Sequence, residues 1–324
     1  DALNQVIVKA SESGAKRVVF ACRSGIWAGA ESRFVADCFG KQPRSYRLLG
    51  FDRAEQEVLF QHSFPESSFG SFIDNAERYD FASLLSNPQL LDIFARAFVK
   101  SDGNVTSKLQ AYRDAVEQMA LEKNQNRGVQ QQKPHQLIIE VFEDISAKLL
   151  LSGSVGISMS NSSADSDFPF LDVVYAADKD VVIAAVESQL FKLTDSEDLH
   201  EPVHRTVQEF CAARFFVKRI EDAADLTSLN RCLALIAPNG VCRDELKGLI
   251  AWMAACGGPE IERRIIDLDP YAVLSNGDAS QLSLPAKKQL LRCLHELSET
   301  DPYFRRSDGW RTFHSAGFFT ADLA

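Results

Sequence analysis

The sequence predicts a mainly α protein with a small α/β portion at its start. A continuous apolar run, Arg17-Val18-Val19-Phe20-Ala21-Cys22, follows the turn Ser13-Gly14 without polar alternation, which is how a strand buried on both faces reads. From Asp52 the pattern changes to capped segments with helical spacing. Beyond Thr227, apolar helical stretches alternate with Gly and Pro turns, as in stacked helical pairs, although no repeat of fixed period occurs.

Taken in order, the chain opens on what reads as the exit of a buried strand and continues from Gln5 through Lys9 as a short helix. The apolar strand at 17–22 ends in the polar loop Arg23-Ser24-Gly25, at the strand end where open α/β sheets bind ligands. A second short strand, Tyr46-Arg47-Leu48-Leu49, follows the Pro43 turn, so residues 1–50 read as the later half of an α/β domain. Asp52 then caps a helix with acids in its first turn. Helices are also expected around 81–85, 88–99 and 107–123, with Asn87-Pro88 as cap and first helical residue. Residues 124–133, polar and of low complexity, close this helical subdomain of 51–133.

In 134–225 an amphipathic helix at 137–151 precedes a small-residue stretch at 152–167, a helix at 179–190, a short strand at 190–193 and a helix at 202–220. The remaining segment, 226–324, holds helices at 229–237, 245–255, 261–267 and 284–297. Asp269-Pro270, Gly277-Asp278 and Asp301-Pro302 mark its turns and caps. Trp252, Trp310 and the aromatic cluster at 313–319 read as packing residues.

Composition excludes several classes. At 324 residues the chain suffices for two or three compact units, and 45% hydrophobic with 25% charged residues is ordinary for a globular protein. A formal charge of -10 argues against binding nucleic-acid backbone along much of the surface, so a nucleic-acid partner is not indicated. Seven scattered cysteines without a Cys-x-x-Cys pair read as reduced thiols of a cytoplasmic protein. No apolar run approaches bilayer length and no signal segment is present, so no membrane partner is expected. The opening, without an initiator Met, reads as a piece of a larger protein.

The most specific run is His204-Arg205-Thr206-Val207-Gln208-Glu209-Phe210-Cys211-Ala212-Ala213. It resembles the winged-helix signature of NACHT-type STAND NTPases, the class that includes NOD-like receptors. On the residues alone, the same run reads as an amphipathic helix with a capping His and with Phe210, Ala213 and Phe216 in the core. The resemblance extends in family order to three earlier positions. Asp1-Ala2-Leu3-Asn4-Gln5 resembles the Walker B ending, with amides at Asn4 and Gln5 where the family has acids. Arg23 matches the sensor arginine and Pro88 the proline that packs on adenine.

The resemblance implies the C-terminal part of a P-loop NTPase domain, a helical subdomain, a winged helix and a helical array. It implies ATP or ADP as the nucleotide, with Mg²⁺ held through Asp1 and His204 against the β-phosphate. An amide cannot take a proton from water and is a poorer ligand for a hard cation than a carboxylate, so Asn4 and Gln5 predict a nucleotide held rather than spent. ATPase activity of a full-length parent would be impaired accordingly. A partner in the form of a second copy, assembling on a protein trigger, and a role in bacterial antiviral defence follow by the same resemblance. No Gly-x-x-x-x-Gly-Lys-(Ser/Thr) phosphate loop occurs in the chain, so this segment supplies the walls of the site and not its floor.

Two alternatives stand beside this reading. One is a non-enzymatic helical scaffold whose winged helix binds protein or DNA. The other is a zinc protease, because His200-Glu201-Pro202-Val203-His204 matches His-Glu-x-x-His. That chemistry needs both histidines on one helical face, and Pro202 disfavours helix at Glu201, so the helix is expected to begin at Pro202 with His200 outside it.

Overall fold

Apolar residues at helical spacing, in several helices introduced by a capping side chain, build most of the described part of this molecule. The computed structural model describes residues 2–14, 17–20, 29–44, 46, 49–79, 81–103, 105–121, 134–174, 179–194 and 198–300. The chain divides into two units, Asp1–Leu49 with Leu193–Glu197, and Gly50–Lys192 with Asp198–Ala324.

In the first unit α1 (Ala2–Glu12) packs on α2 (Gly29–Phe39), burying Ile7 and Val35. The expected turn at Ser13-Gly14 follows α1, with Gly14 in the left-handed region. The opening residues are helical from Ala2, not the tail of a strand. The strand expected at 17–22 is also corrected. Residues 17–20 pair with no other strand, and 21–22 lie outside the described residues. Phe20 turns inward, its ring meeting Phe39 edge-on at 6.4 Å, whereas Val19 is 90% exposed. Alternate covering of that kind needs only one packed face, and a run without polar residues did not reveal which face it was. Tyr46 and Leu49, expected in a second strand, are exposed and unpaired with any strand, and 47–48 lie outside the described residues.

The second unit begins as the sequence predicts. Asp52 caps α3 (Arg53–Ser63) through the Glu55 amide at 2.9 Å, and the Glu55 carboxylate accepts from the Asp52 amide at 2.9 Å. This reciprocal capping box satisfies two otherwise orphaned donors. Ser68 starts α4 (Phe69–Arg78), a 3₁₀ turn covers Ala82–Ser86, and α5 spans Pro88–Lys100. Ser107 caps α6 (Lys108–Ala120). Residues 124–133, read as a loop, lie outside the described residues, as do the aromatics at 310 and 313–319.

Next come α7 (His135–Ser152), β1 (Ile157–Ser158), the single turn α8 (Leu171–Val174) and α9 (Lys179–Glu187). β2 (Phe191–Leu193), β3 (Leu199–Pro202) and α10 (Arg205–Glu221) follow. The sheet order is β1-β3-β2, and β1 runs antiparallel to β3 with Ile157 opposite His200. Gly156 lets the strands close, since a Cβ there would stand 2.1 Å from the His200 carbonyl oxygen.

The tail stacks α11 (Leu229–Ile236), α12 (Lys247–Cys256), α13 (Pro259–Leu268), α14 (Pro270–Asn276) and α15 (Leu284–Thr300). One chain of rings runs through the unit. Phe60 stacks on Phe72 at 5.0 Å, Phe81 on Phe94 at 4.8 Å, and Phe94 meets Tyr112 edge-on at 5.4 Å. Tyr112 in turn touches Phe210 at 5.7 Å and Trp252 at 4.9 Å, joining α5, α6, α10 and α12 in one core. No helix among the described residues is long and apolar enough to cross a membrane.

Candidate functional site

The head of α10 is the best-built part of the candidate site. Backbone pairing sets it: Met159 N donates to Asp198 O at 2.7 Å, and Val203 N donates to Leu190 O at 2.8 Å. Backbone bonding therefore continues through Val203, just past β3, and the helix starts at Arg205 rather than at Pro202 as the sequence predicts. His204, between them, has extended backbone and is the N-cap.

Its ring performs the capping. Thr206 N donates to His204 Nδ1 at 3.2 Å, and Thr206 Oγ1 lies 2.9 Å from the same nitrogen. A backbone N–H can only donate, so Nδ1 is the acceptor and the neutral ring carries its proton on Nε2. Burial holds the His204 pKa below the ordinary histidine value, and the positive charge of Lys192 pushes the same way. Lys192 itself pairs with Glu201 across β2 and β3 at 3.3 Å. The result is a neutral N–H donor at the head of a long helix, within electrostatic reach of a cation. Such an arrangement suits an anionic oxygen.

One turn further along α10 stand Gln208 and Glu209. Gln208 is buried, and its Nε2 has no hydrogen-bond partner among the described residues. Glu209 accepts from Arg205 Nε at 2.9 Å, while Arg205 Nη2 also reaches the Glu245 carbonyl. Burial raises the Glu209 pKa, and the Arg205 hydrogen bond opposes it. Glu209 lies against α12 where Gly248 has no side chain; a Cβ at 248 would come within 2.1 Å of Glu209 Oε2. Glu209 of the signature run thus has a packing role, tying α10 to the helical tail.

Pro88 is the first residue of α5 and is exposed. Asn87 Oδ1 accepts from Leu90 N at 3.3 Å, so the expected cap is present. α5 packs on α6, with Phe94 of the one meeting Tyr112 of the other. The Met119 carbonyl, near the C-terminal end of α6, accepts from Gln189 N at 3.1 Å, just before β2. Pro88 and His204 both belong to the second unit. Gln5, exposed on α1, and Asn4 belong to the other unit. Asp1 and Arg23 lie outside the described residues.

The zinc arrangement does not form. His200 is on β3 and His204 is a cap, so they are not one helical turn apart on a shared face. No group of three potential ligands occurs among the described residues. Two of the thiols are also unsuited to nucleophilic work: burial pushes Cys242 up to about 11 and Cys256 up to about 12.

Sequence reasoning missed Tyr112, Thr206 and Lys192, because each acts through a neighbour far away in the chain or through a strand register. It also missed Glu143, a buried carboxylate on α7 whose Oε1 lies 3.1 Å from Arg214 Nε of α10. The spacing of Glu143 within an apolar helix face was a visible signal of a buried ionic partner. Comparison with known protein families finds no model that matches the chain, and comparison with curated proteins finds no match.

Proposed function

We propose that this chain is the regulatory part of a NACHT-type STAND NTPase, holding ADP in a closed state and assembling with further copies when ATP is bound. The observation that carries the reading is His204, a neutral Nε2–H donor standing immediately before the run Gln208-Glu209-Phe210-Cys211-Ala212-Ala213. The order helix, strand, helices, strand, strand from α7 to β3, with sheet order β1-β3-β2, supports a winged helix in front of α10. The capped helices α3 to α6 fit a helical subdomain, and α11 to α15 a helical array. In this reading the exposed ring of Pro88 meets the base and His204 a phosphate oxygen, with Arg23 reporting the terminal phosphate. Asn4 and Gln5 make turnover slow. The nucleotide brings the charge that this donor set senses. The cradle of backbone N–H groups for its phosphates must come from a phosphate loop, which this chain does not contain.

The test is His204→Ala in a protein that carries the loop. Losing a hydrogen bond to a charged phosphate should weaken ADP about ten- to a hundredfold. The same substitution removes a helix cap and lowers stability by about 1 kcal/mol, so a thermal midpoint alone does not discriminate. An unchanged ADP affinity refutes the assignment.

A further inference from the structure

The cap at His204 needs one donor, the Thr206 amide, yet a second line of hydrogen bonds converges on the same nitrogen. Tyr112 Oη donates to Thr206 Oγ1 at 3.3 Å, and that oxygen is 2.9 Å from His204 Nδ1. Because Nδ1 is an acceptor here, the direction is fixed along the line: the phenol gives its proton to the hydroxyl, and the hydroxyl gives its own to the ring. The origin of the line is rigid. Tyr112 lies on α6, 2% exposed, its ring packed against Phe94, Phe210 and Trp252. The Thr206 end is half-buried, so the neutral form of the ring is favoured by its surroundings as well.

We infer that Tyr112 and Thr206 are positioning residues for His204, a hydroxyl relay that keeps the ring proton on Nε2 and sets the ring's orientation from α6. The inference rests on the nucleotide reading above and deepens it. It names the element that the phosphate contact reports to, the helix packed against α5, which begins at Pro88. A movement of α6 relative to α10 would break the relay first, and with it the donor that faces the phosphate. Two residues 94 positions apart in sequence are coupled this way.

The experiment uses a protein that carries the phosphate loop, with ¹⁵N-labelled histidine, and reads the His204 ring nitrogens by long-range ¹H–¹⁵N spectra, with ADP as the added probe. The wild type should show a single Nε2–H form. Thr206→Val keeps the shape and removes the hydroxyl, so the Nδ1 signal should move and the tautomers mix; Thr206→Ser should restore the wild-type signal. Tyr112→Phe keeps the ring packing and should move Nδ1 in the same direction by less. ADP should perturb Nε2 in the wild type, and Thr206→Val should need roughly fivefold more ADP for the same response. If neither Thr206→Val nor Tyr112→Phe moves the His204 nitrogens, the relay is overturned. If they do but ADP moves no His204 signal up to millimolar concentration, the phosphate role falls and only the positioning of the cap survives. The two failures are therefore distinguishable.

Discussion

The two units solve the same problem with very different means. The second buries rings and aliphatic side chains continuously from Phe60 on α3 to Leu294 on α15, and several of its helices, α3, α6, α11 and α14 among them, start from a capping side chain. In the first, Ile7 and Val35 are the buried hydrophobic residues among those described, while Val19, Tyr46 and Leu49 are each more than 80% exposed. A helix carries its own backbone hydrogen bonds and needs only a partner for one stripe. A strand owes both its hydrogen bonds and its covering to neighbours. A helix of this chain is consequently decided within its own segment, whereas an apolar run becomes a strand only where a neighbour exists.

The sharpest way to break this contrast is at Trp252, where α6, α10 and α12 meet. Trp252→Ala should destabilise the second unit by about 3–5 kcal/mol, the range for emptying a fully buried aromatic site. Urea unfolding followed by circular dichroism reads it, and a loss below about 1 kcal/mol would mean the ring chain does not bind the helices together. A smaller effect is expected at Gly156. Its missing Cβ leaves room for a backbone oxygen, which cannot rotate away as a side chain would. Gly156→Ala should cost about 1–3 kcal/mol through strain at the β1–β3 pairing. A neutral outcome would show that β1 contributes nothing to holding His204.

What was legible in the sequence follows the same division. Asp52 with Glu55, Asn87 before Pro88, and Ser107 were readable because a cap is local chemistry, decided within four residues. β2 was readable as the short strand expected at 190–193. The helix α4 was legible but passed over: Ser68 caps it, and Phe69, Phe72, Ile73 and Ala76 keep helical spacing. Asp269-Pro270 was read as a cap without the helix α14 behind it. The strand β3 was not legible, because Leu199-His200-Glu201-Pro202 is polar, contains a proline and becomes a strand only through register with β1. Of the candidate site, His204 and Pro88 were visible as motif positions. The relay from Tyr112 was not, since nothing in a sequence joins residues 112 and 206.

Titration separates the units next. Six histidines occur in the chain and none lies in residues 1–49. Burial lowers both His200 and His204; Asp198 and Glu187 partly oppose it at His200, whereas Lys192 reinforces it at His204. A folded pKa below the unfolded value means that the stability is fully present above about pH 6.5 and is lost as pH falls through that value toward the folded pKa. Glu143 and Glu209, raised by burial, act in the opposite sense, so the histidine part is read as a difference. Urea midpoints of the wild type should fall more steeply between about pH 7 and 5 than those of His200→Gln/His204→Asn, where Asn keeps a capping oxygen. Parallel profiles for the two proteins would remove both histidines as pH-linked groups of the second unit.

The smallest expected effect tests the first unit directly. Valine to alanine is the same chemical deletion wherever it is made, so it can be placed once in each unit. At Val116, fully buried on α6, it should cost roughly 2 kcal/mol, from lost burial of two methyl groups and the cavity they leave. At Val19, 90% exposed, the methyl groups are already in water in the folded state, and the change should stay within about 0.5 kcal/mol. The two losses are measured by the same urea titration on the same chain. A loss at Val19 as large as that at Val116 would show that this side chain is covered in solution. The apolar run at 17–22 would then have found the packing its composition predicts, and the contrast between the units would fail at the residue that defines it.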